Sequence, residues 1–190
     1  MVKITINNLQ NKIPVNPSDV KKIILKTLSL EKMEPTRAKD WSSQGRHAKA
    51  AFISTFKDGV FKRRSIKKCG EITISFVNDS KIKELNLRYL RKNNPTDVLA
   101  FDIAEQPGSN NIFADIVIST DMALRNARIF KTTPFYELYL YLIHGLLHLL
   151  GYDDKNKNQR KIMDEKTKYI LTTLKLNNNN RYARYARSTS

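Results

Sequence analysis

Residues 138–150, Leu-Tyr-Leu-Tyr-Leu-Ile-His-Gly-Leu-Leu-His-Leu-Leu, are apolar around nearly the whole circumference of a helix. A helix with no polar face cannot rest on a protein surface, so the remaining chain has to enclose it. That enclosure makes its two imidazoles, His144 and His148, the feature to explain, because buried polar groups need partners. The chain has only one other histidine, His47.

Four residues apart on a helix, His144 and His148 project from one face with Cβ atoms about 5–6 Å apart, which suits two ligands of one metal ion. A single histidine on an apolar helix is more often a hydrogen-bonded core residue. The pair, followed by a turn and acidic residues, points to metal. Gly151 is the natural residue for a left-handed helix stop. Beyond it, Asp153 or Asp154 can fold back to bring a carboxylate oxygen to the two imidazoles. Two histidines and one carboxylate leave the fourth position of a zinc site open, as catalytic zinc requires.

With 190 residues the chain can build one sizeable core, so a single domain is expected. Cys69 is the only cysteine, which excludes an internal disulfide and favours a reducing, cytoplasmic setting. Met1 to Ile6 lacks the apolar core of a signal peptide, and no run is long enough to span a membrane. A soluble intracellular protein without a membrane partner is expected. The formal charge of +16, from 34 Lys and Arg against 18 Asp and Glu, names a polyanion as the first candidate partner. Nucleotide bias in the genome is the competing explanation of so many lysines.

Residues 3–8 alternate as a strand, and Pro17 opens a helix with Val20, Ile23, Ile24, Leu28 and Leu30 on its apolar side. Residues 34–70 show no long amphipathic period and carry ten basic against three acidic residues, a net +7. This basic insert, with Arg63 and Arg64 and the interleaved Trp41, His47, Phe52 and Phe56, is either a surface that tracks a nucleic-acid backbone or a solvated extension. Residues 71–77 alternate again, Asn78 caps a short helix with Ile82, Leu85, Leu87 and Tyr89, and Thr96–Ile103 and Ile112–Ile118 read as adjacent strands. A helix capped by Ser119 or Thr120 carries Met122, Ala123, Ala127 and Ile129 and ends near Lys131. Thr133-Pro134 then starts the apolar helix, and a last helix runs from about Asn158 to Leu174. The order β α (insert) β α β β α α α makes an α+β fold, a small mixed four-stranded sheet packed against helices, with the metal site on a buried helix. Residues 1–176 form the domain, and 177–190 are a basic low-complexity tail.

The stretch His144-Gly-Leu-Leu-His-Leu-Leu-Gly-Tyr-Asp-Asp154 resembles the signature H-G-x-L-H-L-x-G-Y-D-H of the YbeY endoribonucleases at ten of eleven places, departing only at Asp154. Leu85-Asn86-Leu-Arg-Tyr89, Pro95-Thr-Asp-Val-Leu-Ala-Phe101 and Ala114-Asp-Ile-Val-Ile-Ser119 resemble that family's other blocks, in the same order. The resemblance implies the α+β architecture, a metal on His144, His148 and Asp154, with Asp154 standing where the family has its third histidine, and cleavage of single-stranded RNA. It further implies work on the 3′ end of 16S ribosomal RNA and in ribosome quality control, with ribosomal RNA and the small ribosomal subunit as partners. The family's active-site arginine directly follows the Tyr of the second block. Here that place is Leu90, and Arg91 comes one step later.

One zinc ion, or another divalent metal, would acidify water and polarise a phosphoryl oxygen, so hydrolysis is the expected chemistry. Peptide hydrolysis is disfavoured, because zinc proteases place a Glu directly after the first histidine and position 145 is Gly. Phosphodiester cleavage needs cations around the phosphate, and Arg88, Arg91 and Lys92 supply them. Arg91 is the catalytic candidate; Arg88, Lys92, Arg63 and Arg64 are candidate RNA contacts. Asp97 and Asp115 read as structural caps of a loop and a strand end. The rival readings are a non-catalytic ribosome-assembly or RNA-binding factor with a degenerate metal site, and a metallopeptidase.

Overall fold

The alternation of residues 3–8 becomes β1 (Val2–Asn8), and the Pro17 helix becomes α1 (Pro17–Lys32). The computed structural model describes residues 2–32, 70–104 and 111–176. Then follow β2 (Gly70–Val77), α2 (Asp79–Leu90), β3 (Val98–Asp102) and β4 (Ile112–Ser119). Three helices complete the order: α3 (Thr120–Phe130), α4 (Pro134–Leu149) and α5 (Lys157–Thr173). The insert with Arg63 and Arg64, its aromatic residues and His47, and the tail from 177 onwards lie outside the described residues.

The sheet order is β1-β2-β4-β3, with β1, β2 and β4 parallel and β3 antiparallel at the edge. Because side chains alternate between faces, one register row carries Ile6, Ile74, Ile116 and Ala100 across all four strands. That row and its neighbours, Ile72, Ala114, Phe76 and Ile118, form the main core with α1, α4 and α5. The opposite face is covered in part by α2, whose Ile82 and Leu85 pack on Val77, Leu99 and Val117.

α4 is enclosed, as its composition demands. Thr133 caps it through a hydrogen bond accepted from the Tyr136 N–H at 3.1 Å, and Pro134 occupies the first turn, where a missing N–H costs nothing. From Phe135 to Leu150 its residues are buried except Tyr136, Leu140, His144 and His148. These four recur every fourth position and form a single stripe, so the buried helix reaches solvent only along the line that carries both histidines.

Some inward assignments differ from the periodicity. Leu87 and Tyr89 are exposed, at 46% and 57%, whereas Asn86 is buried. Ile129, in the last turn of α3, is exposed too, as is the neighbouring Phe130. Strand β3 begins at Val98 rather than Thr96, since Asp97 caps its start: one carboxylate oxygen accepts from the Thr96 hydroxyl and the Val98 N–H, both at 2.9 Å. Asp115 is no strand-end cap. It sits in the middle of β4 opposite Phe101, on the sheet face turned away from α4.

Candidate metal centre

The site begins with how α4 ends. Gly151 has φ 94°, its N–H donates to the His148 carbonyl at 3.0 Å, and the Tyr152 N–H reaches back to the Leu147 carbonyl at 3.0 Å. This paired closure is a Schellman stop, and Tyr152 is buried beneath it. The reversal also turns the Tyr152 carbonyl towards His148, whose Nδ1 lies 3.1 Å away. A carbonyl only accepts, so Nδ1 is the protonated nitrogen and Nε2 of His148 is the ring atom left for a metal. The turn that ends the helix thus fixes the tautomer of the ligand.

Nε2 of His148 faces Nε2 of His144 at 3.1 Å, with the rings edge to face. Two nitrogens bound at about 2.0–2.1 Å to one tetrahedral ion stand about 3.3 Å apart, so this spacing fits a shared metal. Ligand atoms of His144, His148 and Asp154 all lie within 4.8 Å of one another, the one such group among the described residues. Burial, reinforced by the charge of His148, holds the His144 imidazole below its ordinary pKa, while the Asp97, Asp154 and Asp164 carboxylates pull it up. Burial prevails and favours the neutral ring, the form that can donate a lone pair.

The two aspartates after the turn have different surroundings. The Asp153 carboxylate accepts the Asp154 N–H at 2.8 Å with one oxygen and pairs with the Lys155 ammonium at 2.9 Å with the other. Lys155, first by hydrogen bond and then by charge, holds Asp153 below the usual carboxylate range. Asp153 is therefore engaged at the surface, and Asp154 is the member of the pair grouped with the imidazoles.

Gly145 explains why α4 can sit so low on the sheet. A Cβ there would stand 3.2 Å from the Ile116 Cγ2 and 3.2 Å from the Val98 Cγ2. The glutamate that zinc proteases require after the first histidine has no room at this position.

The cationic candidates lie at the end of α2. Arg88, Arg91 and Lys92 are exposed, and Arg91 adopts the left-handed conformation at φ 60° that closes the helix. Buried Asn86 ties the following loop down through its side-chain N–H, which donates to the Asn94 carbonyl at 2.7 Å. That loop leads to Asp97, whose carbonyl accepts the Ser119 N–H at 2.9 Å and whose charge reaches His144. Asp97 thus caps β3 and also faces the metal centre, a role that its local sequence does not reveal. Asp164 on α5 contributes to the same field from a distant part of the chain.

An apolar helix that offers two imidazoles, backed by a small mixed sheet and followed by a carboxylate after a glycine stop, defines an α+β protein with a group of side chains that could hold a metal ion. The family model described as endoribonuclease YbeY matches residues 5–175, and the chain belongs to that family. The endoribonuclease YbeY of Syntrophomonas wolfei is 38% identical over 133 residues, covering 65% of this chain and 85% of that protein. That of Parabacteroides distasonis is 41% identical over 108 residues, covering 57% and 74%. The solution structure of a Thermotoga maritima protein aligns over 100% of this chain and 94% of its own, with a TM-score of 0.50 and 22% identity, a likeness of fold alone. No helix among the described residues is long and apolar enough to cross a membrane.

Proposed function

We propose that this protein is a metal-dependent endoribonuclease that cleaves single-stranded RNA during maturation of the 3′ end of 16S ribosomal RNA and in ribosome quality control. Its partner is the small ribosomal subunit and its setting the cytoplasm. The observation that carries the reading is the convergence of His144, His148 and Asp154 on the solvent-reaching stripe of an otherwise buried helix. The relatives, named as endoribonucleases, supply the substrate class.

The donor set of two imidazole nitrogens and one carboxylate fits a single zinc ion. Such an ion supplies a Lewis acid that makes water more acidic and withdraws charge from a phosphoryl oxygen. The Tyr152 carbonyl holds the His148 ring in its ligating tautomer. Enclosure of α4 leaves both imidazoles half-buried, which strengthens charge interactions at the stripe. Arg91 is assigned to phosphate-charge stabilisation, and Arg88, Lys92, Arg63 and Arg64 to backbone contacts that position the strand. Residues 1–176 form the hydrolytic unit, with the 34–70 insert and the 177–190 tail adding cationic contacts to RNA. An anionic Asp154 in place of a neutral ligand lowers the charge of the ion with its ligands from +2 to +1 and favours harder ions such as Mn²⁺ more than an all-imidazole site does.

One observation favours a second reading. Leu90 stands where the resemblance calls for an arginine, which fits a non-catalytic RNA-binding factor if Arg91 fails to replace it. Metal analysis of protein purified without a histidine tag, then incubation with structured ribosomal RNA with and without chelator, separates the two. Chelator-sensitive cleavage is expected. His148→Ala and Asp154→Ala should each lose metal and cleavage, whereas Asp153→Ala keeps most of both. Full metal occupancy in His148→Ala would overturn the site, and metal without cleavage in the unaltered protein would favour the binding factor.

A further inference from the structure

Helix α1 carries a cationic face that the metal centre does not use. Val20, Ile23, Ile24, Thr27, Leu28 and Leu30 are buried, so the helix cannot roll about its axis. The opposite side, formed by Ser18, Lys21, Lys22, Leu25, Lys26 and Ser29, is a single open surface. All six residues are exposed, and none of the ion pairs among the described residues takes up Lys21, Lys22 or Lys26. Lys22 and Lys26 are one helical turn apart, where like charges cost an isolated helix about 0.2–0.5 kcal/mol.

The geometry suits a phosphate backbone. Lys21 to Lys26 spans about 7.5 Å of helix axis, roughly the length over which one nucleic-acid strand presents two to three phosphates. Ser18 and Ser29 at the two ends of the face are hydroxyl donors of the kind that bond phosphate oxygens. Leu25, 52% exposed between the lysines, offers apolar contact to sugar. Because the helix is locked in place, the lysines are rooted at fixed backbone positions rather than on a flexible arm.

We propose that this face of α1 is an accessory RNA-backbone contact that adds sequence-independent affinity for long RNA and takes no part in cleavage. The inference rests on the reading of RNA as the ligand. An anionic membrane is the less suitable occupant, because an interfacial helix inserts its apolar stripe and that of α1 is consumed by the core.

The test compares the unaltered protein, the triple variant Lys21→Ala/Lys22→Ala/Lys26→Ala, and the charge-keeping Lys21→Arg/Lys22→Arg/Lys26→Arg. Affinity for a long ribosomal RNA fragment is measured against salt under chelator, and cleavage of a short oligonucleotide with metal present. The alanine variant should flatten the slope of log affinity against log salt by about 2, at roughly 0.7 for each single-strand phosphate that a lysine no longer neutralises. The arginine variant should keep that slope, and both should cleave the short substrate at the unaltered rate. An unchanged slope in the alanine variant overturns the proposal, as does a loss of short-substrate cleavage. It is likewise overturned if the lysines govern binding to phosphatidylserine vesicles and not to RNA. The binding readout needs no cleavage, so a protein that binds RNA through α1 and cuts nothing refutes the endoribonuclease reading while leaving this one standing.

Discussion

Substituting Gly145 by alanine sets two effects of known size against each other. Alanine is better than glycine inside a helix by about 1 kcal/mol, so α4 alone gains from the change. The new methyl, however, stands 3.2 Å from Ile116 Cγ2, 3.2 Å from Val98 Cγ2 and 3.7 Å from Ala100 Cβ. Carbon atoms rest at about 3.5–4.0 Å, so two of these contacts are compressed by roughly 0.3 Å or more. Both close neighbours are β-branched and have little freedom to turn aside, and Ile116 is fully buried at the centre of the sheet. Overpacking of this kind costs about 1–3 kcal/mol. The expected net effect of Gly145→Ala is a loss of about 1 kcal/mol, or about 2–4 °C in Tm for a chain of this size. Urea denaturation under chelator measures it free of metal linkage. Val98→Ala in the same chain relieves one contact, so the double variant should show favourable coupling of about 0.5 kcal/mol or more. RNA cleavage should fall further than stability does, because displacing α4 moves both ligand histidines together. A Gly145→Ala protein more stable by the full helix-propensity gain, with no coupling to position 98, would refute the close approach of α4 to the sheet.

Two other outcomes follow from groups already placed. Asn86→Ala should cost about 1–2 kcal/mol in chemical denaturation, since it removes a buried hydrogen bond to the Asn94 carbonyl. Asn86→Asp should cost more, because it sets a carboxylate against that carbonyl; if aspartate proves the milder change, the amide donates elsewhere. For the metal-free protein, the His144 pKa is lowered from 6.5 on folding, so below that value the unfolded chain binds a proton that the folded chain resists. Stability contributed by this group is complete above pH 6.5 and is lost as pH falls from there through the depressed folded value. Urea midpoints measured from pH 7.5 down to 5 should show the decline and His144→Gln should lack it; equal slopes in both proteins would contradict it.

The nine elements among the described residues were legible because each has its own local signal. Alternation in residues 71–77, Asn78 as a cap, Thr133-Pro134 as a start and Gly151 as a stop all act within a few residues of themselves. The phase of the short helix α2 was not legible. Leu87 and Tyr89 point outwards and Asn86 inwards because the helix covers only part of one sheet face, and its rotation is set by the Asn94 tether and by packing on Leu99 and Val117. The grouping of His144, His148 and Asp154 could be read because all three residues belong to one helix and the turn after it. Asp97 and Asp164 could not, since their charges reach His144 only through the edge strand and the last helix. No pattern in the one-dimensional chain records that approach.

The Schellman stop separates the candidate metal centre into two mechanically distinct parts. His144 and His148 are built into a helix whose every other side is packed, so altering either disturbs the core. Asp154 stands beyond the stop, half-exposed, with its backbone N–H tied to Asp153 and no side-chain role in the core. The charge and hardness of the ligand set proposed for the metal can therefore drift at that one position with little disturbance of the core. An imidazole can be exchanged for a carboxylate there by a single change, and natural variation in metal preference should concentrate on the residue that the fold leaves unencumbered.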